Sequence, residues 1–462
     1  MPLPYGELNM TDQPAQPTFK PDAAHQQSPK IRRVRGVPLP AKDAQGNQAV
    51  MLGLTDAQQI SPKMVVTHPA FQQVIGLLDG SRSLDEIITQ VGNGLERPML
   101  ENLVAQLDDA GLLYGPVYEA LLTKLHNDFD NSDLLPPGST AQFTDALVMQ
   151  EHGESTTEEQ KIAEGPAKLR EIMDKWIDEA LKNVESPAYD TLPKAIVAPH
   201  IDYARGWMNY ANIYGRLRVA DRPDRIIILG TNHFGQSTGV CGCNKGYESP
   251  LGVCNLDTDV MEKLKAALGA ENAEKLFANR YDHENEHSIE LHMPWIQHIF
   301  GQDDAGNYPK VFGALIHDPL VNSGESYDGN GLDLEPFVEA LNSVLADLPG
   351  KTLIVSSADL SHVGPAFGDN QALAGDDEGA KGFREQVAKH DHEMLTLYKD
   401  QKIEDMIGSL SWQQNSTRWC SVGNMSAAMR LANPEKVELL NYAAAMDPQG
   451  TTFVSTAAIA MF

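Results

Sequence analysis

Positive charge is what this chain is short of: 36 Lys and Arg stand against 64 Asp and Glu, a formal charge of −28. Such a surface repels nucleic acid and anionic membranes, so neither is an expected partner. The one cluster of the other sign (Lys30, Arg32, Arg33, Arg35) is too short to track phosphates and reads as a solvated strand edge. Cysteine is scarce as well. Four residues (Cys241, Cys243, Cys254, Cys420) in a chain of 462 cannot form a disulfide framework, and a reducing cytoplasmic compartment is expected. No run approaches the roughly 18 apolar residues needed to cross a bilayer. The opening Met1-Pro-Leu-Pro-Tyr-Gly has neither the basic nor the apolar segment of a signal peptide.

What is present is ordinary globular material, 42% apolar, but too long for one hydrophobic core, which predicts two or three domains. Residues 1–30 are rich in Pro, Gln and Ser and are expected to be disordered. Residues 31–125 read as a small winged-helix-like domain. Extended segments at Val34–Leu39 and Gln48–Leu52 precede a helical run from Phe71. A capping box from Ser83 to Glu86 opens a second helix, and Pro98 starts a third, with Leu100, Leu103, Val104 and Leu107 on one face. Its acidic Asp85, Glu86, Asp108 and Asp109 argue against DNA. Residues 126–165 are polar, with Pro136-Pro-Gly and an acidic stretch near Glu151, and read as a linker. From 166 to 462, after an amphipathic helix at Leu169–Val184, short apolar runs alternate with helices, the pattern of an α/β domain with a central sheet flanked by helices.

Three of those runs end alike. Lys194-Ala-Ile-Val-Ala leads to His200 and Asp202, Arg225-Ile-Ile-Ile-Leu-Gly leads to His233, and Lys351-Thr-Leu-Ile-Val leads to Asp359 and His362. Continuous apolar runs of this length suit central strands covered on both faces. Open α/β sheets bind ligands beyond the carboxyl ends of their strands, so the three histidine-bearing exits predict a shared crevice. A lone histidine after a strand is usually a satisfied loop residue; it is the repetition that argues for a site. A fourth segment carries His283, Glu286, His287, Glu290 and His292 before Pro294. A helix starting near Glu286 would put His287 and Glu290 on one face, toward the crevice.

Two motifs in this region carry less weight. His283-Glu-Asn-Glu-His287 matches the zinc-protease pattern, but a helix beginning after His283 breaks the geometry that chemistry needs. Gly235-Gln-Ser-Thr-Gly239 matches a nucleophile elbow, yet it lies several residues past its strand and no helix follows. Cys241, Cys243 and Cys254 lack paired zinc-ligand spacing and read as loop cysteines.

Taken together, Ala198-Pro-His200, Ile228 to His233, Glu286 to Pro294, Ser357 to His362 and Trp419-Cys420 resemble the Memo family, whose members include protein B of the AmmeMemoRadiSam system. The span from Leu78 to Leu113 resembles the PqqD-like peptide-recognition domains. The first resemblance implies an α/β fold shared with class III extradiol dioxygenases and non-haem Fe(II) chemistry on an unidentified substrate. It implies His200, His233 and Cys420 as metal ligands and His362, Asp359 and His287 as catalytic groups. Asp202, Glu290 and His292 are expected in the pocket or behind it. Cys420 stands where the dioxygenases place a carboxylate, and its softer sulfur brings Cu or Zn within reach. The chain departs from the family pattern at Asp202, where a glycine is common, at Phe234, where a second histidine is common, and after Cys420. The second resemblance implies a peptide or radical-SAM partner. The alternatives are a non-catalytic metal- or peptide-binding scaffold and, last, the zinc protease.

Overall fold

A computed structural model describes residues 17–42, 48–92 and 94–462. The chain forms two compact units, one ending at Asn131 and the other running from Ser132 to Phe462.

The first unit holds an antiparallel sheet in the order β1 (Val34–Lys42), β2 (Gln48–Asp56), β3 (Met64–Thr67). The capping box expected at Ser83 and Glu86 is present and starts the helix Leu84–Val91. The helix Arg97–Asp109 carries Pro98 in its first turn and buries Leu100, Leu103, Val104 and Leu107 against Leu54 and Val65 of the sheet. Arg32 departs from the solvated edge: its guanidinium is buried on Asp56 at 2.9 Å and on the Gly111 carbonyl at 2.9 Å. Of the segment expected to be disordered, residues 1–16 lie outside the described residues. Ala24–Gln27 forms a helical turn whose Gln26 is buried on Asp108.

The span expected as a linker is built instead. The strand β4 (Leu134–Leu135), the helix Ser139–His152 and the start of the helix Glu158–Leu181 occupy it. Its polar composition misled because these helices bury little there: Thr140, Thr144 and Val148 on the first and, within the span, Gly165 on the second.

The second unit is organised by an eight-stranded mixed sheet. Its parallel core is β5 (Ala195–Ala198), β6 (Arg225–Thr231), β10 (Lys310–Ile316) and β11 (Thr352–Ser357), with β11 between β5 and β6. On one side β14 (Phe453–Met461) pairs antiparallel with β5 and is followed by β12 (Asp359–Val363), while β13 (Val437–Met446) also pairs with β14. On the other, β7 (Cys241–Gly242) runs antiparallel to β10. A small sheet of β4, β8 (Gly246–Ser249) and β9 (Gly252–Cys254) lies apart. Every residue of β5 and β6 is buried, as the continuous apolar runs required. No helix among the described residues is long and apolar enough to cross a membrane.

The segment after His283 becomes a helical turn, His287–Glu290, capped by Glu286, and a separate helix, Met293–Phe300, with Pro294 in its first turn. Gly230 admits that turn to the sheet: a Cβ there would sit 2.6 Å from Ser288 Oγ. Two histidines of this segment go into the core. His292 contacts the Tyr214 hydroxyl at 2.9 Å within a layer of Tyr210, Tyr214 and Trp295. His283 meets the Cys241 carbonyl at 3.1 Å.

Burial lowers the pKa of His283 to about 4 and of His292 to about 3. Unfolding therefore takes up protons wherever the free imidazole is charged and the buried one is not. The stability both provide is complete above pH 6.5 and is lost as pH falls toward those values. The expected loss is about 1.4 kcal/mol per pH unit for each group below pH 6. Urea unfolding of the full chain between pH 7 and 5 measures it. His292→Gln should flatten the slope by one such increment, and an unchanged slope would remove His292 from the account.

Candidate metal centre

Three strand ends deliver the site. β5, β11 and β6 finish side by side in parallel register, with Ala198 opposite Ser357 and Ser356 opposite Leu229. Two residues beyond their last strand residues stand His200, Asp359 and His233. Cys420 arrives from the other direction, just before the helix Val422–Ala432. His200, His233 and Cys420 each offer a ligand atom within 4.8 Å of the others.

Hydrogen bonds decide which ring atoms those are. Ser357 Oγ donates to the Ser288 carbonyl at 2.5 Å, so its contact with His200 Nδ1 at 3.1 Å is one in which it accepts. His200 therefore carries its proton on Nδ1 and turns a bare Nε2 toward Cys420 Sγ, 3.3 Å away. His233 donates from Nδ1 to Glu286 Oε1 at 3.0 Å, and its backbone N–H donates to Oε2 at 2.8 Å. Its Nε2 edge is left to the sulfur. His362 repeats the device, with Nδ1 donating to the carbonyls of Leu360 at 2.9 Å and Arg418 at 3.2 Å. A carboxylate or carbonyl behind the far ring nitrogen fixes tautomer and orientation, which is how histidine ligands are held.

Charge is distributed unevenly over these groups. Burial, reinforced by the neighbouring His233 and His287, drives His200 well below the ordinary imidazole value. Burial also takes His287 and His362 to about 4 each. His233 is pulled down by burial too, but the Glu286 carboxylate and the Cys420 sulfur outweigh it and the net movement is upward. Glu286 answers in kind: burial raises it, His233 lowers it further, and it settles at about 2. Asp359 is buried, accepting the backbone N–H groups of His200 and Ile201 on one oxygen, and burial lifts it to about 7.

Of the residues expected at the site, His200, His233, Cys420, Asp359 and His287 gather in the crevice. His287 stacks on His233 at 4.9 Å and lies 5.9 Å from His200, and with His233 and Glu286 it forms a second group of close ligand atoms. His362 stands beside them, its ring edge-on to Phe367. Three expected residues are employed elsewhere. Asp202 caps the helix Tyr203–Arg216 and pairs with Arg205 instead of backing an imidazole. Glu290 is taken up by other partners, accepting the Gly138, Ser139 and Thr140 N–H groups at the start of the helix Ser139–His152. His292 lies in the aromatic layer.

His283 is committed to Cys241 and starts no helix with His287, so the protease geometry does not form. Ser237 lies in a loop and donates to Gly239. Cys241, Cys243 and Cys254 are buried on or beside short strands, a correction to the loop expectation, and join no metal-competent group among the described residues. Glu286, Ser357 and Ser288 were not singled out from sequence. Glu286 alone had a signal, as the residue ahead of His287 in the most distinctive segment.

A family model described as Memo-like protein matches residues 162–461. The chain is 22% identical to a MEMO1 family protein of Aquifex aeolicus over 79% of this chain and 82% of that protein. It is 26% identical to one of Methanopyrus kandleri over 56% of this chain and 79% of that protein. With one of Thermococcus onnurineus it shares 24% identity over 55% of this chain and 81% of that protein.

Only one of the four cysteines is open to reagent: Cys420 is part-exposed, whereas burial pushes Cys243 to about 11, Cys254 to about 12 and Cys241 well above the ordinary thiol value. Titration of native protein with a disulfide reagent should release one equivalent and denatured protein four. Cys420→Ser should bring the native count to zero. A native count above one would mean that the buried three are accessible.

Proposed function

We propose, for a chain that belongs to the Memo family, that the second unit is a metal-binding protein in which His200, His233 and Cys420 hold one transition-metal ion, Fe(II) first among them. The observation that carries this reading is the pair of imidazoles pinned at Nδ1, each turning its Nε2 edge toward one thiol sulfur. Two nitrogens and one anionic ligand leave open positions for substrate, and the thiolate keeps Cu and Zn within reach. A bound iron would supply the redox chemistry and Lewis acidity that no side chain here possesses.

The surrounding residues then have definite tasks. Glu286 orients His233 and Ser357 orients His200. His362 is uncharged at neutral pH with a free Nε2 lone pair, so it can take a proton from a substrate hydroxyl. Asp359, near half-protonation at neutral pH, can hold or release one at the oxygen that faces His200 at 3.7 Å. Phe234 packs 5.7 Å from both His233 and His287, and Phe367 lies 5.6 Å from His362. These flat walls support an aromatic substrate, small or borne on a peptide, in a dioxygenase-like reaction. A second reading rests on the sulfur itself. A part-exposed sulfur is open to oxidation, which favours a scaffold that binds metal without turnover.

Elemental analysis of protein purified without oxygen separates these outcomes. The wild type should carry close to one iron, His233→Ala and Cys420→Ser none, and Glu286→Gln should bind roughly ten-fold more weakly or worse. Iron with oxygen uptake on aromatic substrates supports the enzyme. Iron without uptake favours the scaffold, and no metal after anaerobic reconstitution would sink both.

A further inference from the structure

Behind Cys420 lies a buried carboxylate that the reading above does not use. Asp391 sits on the helix Glu378–Lys399 and is fully buried. Its Oδ1 accepts Ser361 Oγ at 2.5 Å and the indole Nε1–H of Trp419 at 2.8 Å. Its Oδ2 accepts the Tyr442 hydroxyl at 2.7 Å and Ser455 Oγ at 2.6 Å. All four donors are uncharged. An aspartate held this way is an expensive means of joining elements that apolar packing could join, so the geometry it enforces becomes the question.

The elements it joins are those that carry the site. Ser361 lies on β12 between Asp359 and His362. Trp419, itself buried, immediately precedes Cys420. Approaching it, the chain passes through Arg418 at φ 60°, a left-handed conformation that a non-glycine residue keeps only when its surroundings impose it. Asn415 closes the turn, accepting the Trp419 N–H at 2.8 Å and donating to its carbonyl at 2.9 Å. Beyond these bonds, the Trp419 side chain packs in the apolar core with its ring 6.4 Å from that of His390, and its indole N–H donates to Asp391 and Ser361.

We infer that Asp391, acting through the Trp419 indole, is the positioning residue that sets where the Cys420 sulfur stands against His200 and His233. This rests on the reading of Cys420 as a metal ligand, but the placement of the sulfur can be tested without metal. Losing one hydrogen bond at the indole should let the Cys420 segment drift by several tenths of an ångström. Ligand geometry tolerates that poorly, whereas the helix and sheet would barely register it.

The test uses the full chain with Asp391→Asn and Trp419→Phe, and with Tyr442→Phe as the control that removes a donor to the same carboxylate on the side away from Cys420. Co(II) serves as the metal probe, read by the thiolate-to-cobalt charge-transfer band, and alkylation of Cys420 in metal-free protein is followed in parallel. Trp419→Phe and Asp391→Asn should weaken Co(II) binding roughly ten-fold, shift or diminish the band, and change the alkylation rate several-fold. Tyr442→Phe should leave all three readings at the wild-type level, even where its melting temperature falls as far as theirs. Should Asp391→Asn fail to fold, Trp419→Phe decides alone. Wild-type Co(II) affinity, band and alkylation rate in Trp419→Phe would overturn the inference, as would equal effects in Tyr442→Phe. A wild type with no charge-transfer band would count against the metal reading only, and the alkylation rates would still decide the role of Asp391.

Discussion

Neighbouring strands in a sheet stand about 4.8 Å apart, so the exits of β5 and β6, separated by β11, lie roughly 10 Å from each other at the backbone. That spacing governs everything built above them. Two imidazoles reaching inward from the outer strands meet over the middle one, and their rings are 4.9 Å apart at 81°. The middle strand carries smaller polar groups at this level. It supplies Ser357, whose hydroxyl anchors His200, and then Asp359, whose carboxyl accepts the backbone N–H groups that follow β5.

The crevice is costly to build from histidine alone. His200, His287 and His362 are all held in the neutral form, because burial disfavours charge and each ring suffers from its neighbours. A neutral imidazole still has one N–H that needs an acceptor. Ser357 serves His200, and the Leu360 and Arg418 carbonyls serve His362. Glu286 stands behind both His233 at 3.0 Å and His287 at 3.3 Å, but of these four rings His233 alone moves toward the charged form. Orientation and charge are thus set by the same bonds, which leaves the Nε2 edges as the free surface of the pocket.

This explains what could and could not be read along the chain. The central strands were legible because burial on both faces leaves an unbroken apolar run, and His200, His233, Asp359 and His362 because each run led into a polar group, whereas Cys420 came only through the family resemblance. The partners were illegible for the opposite reason. Ser357, Ser288 and Asp391 act through single hydrogen bonds to residues far away in sequence, and no periodicity marks such a bond. Glu290 and His292 found other partners, the N–H groups of Gly138, Ser139 and Thr140 for the first and the Tyr214 hydroxyl for the second, and no spacing along the chain announces such distant partners. The helices within 126–165 escaped because their buried stripe is one residue wide per turn, too narrow to stand out from polar neighbours.

The sulfur completes the electrostatic argument. A pocket lined by neutral imidazoles, one imidazole drawn toward charge by Glu286, and a thiol within 3.3 Å of His200 has more lone pairs than protons to satisfy them. Water can fill such a space, but water must donate to several acceptors that converge from fixed directions, and it has two protons. A cation has no such limit, since it accepts every lone pair aimed at it and displaces the proton shared between His233 and the sulfur. The proposed ion would meet the ligand atoms of His200, His233 and Cys420 together. The carboxylate behind His233 would serve two states, balancing a proton when the site is empty and strengthening the ligand when it is filled.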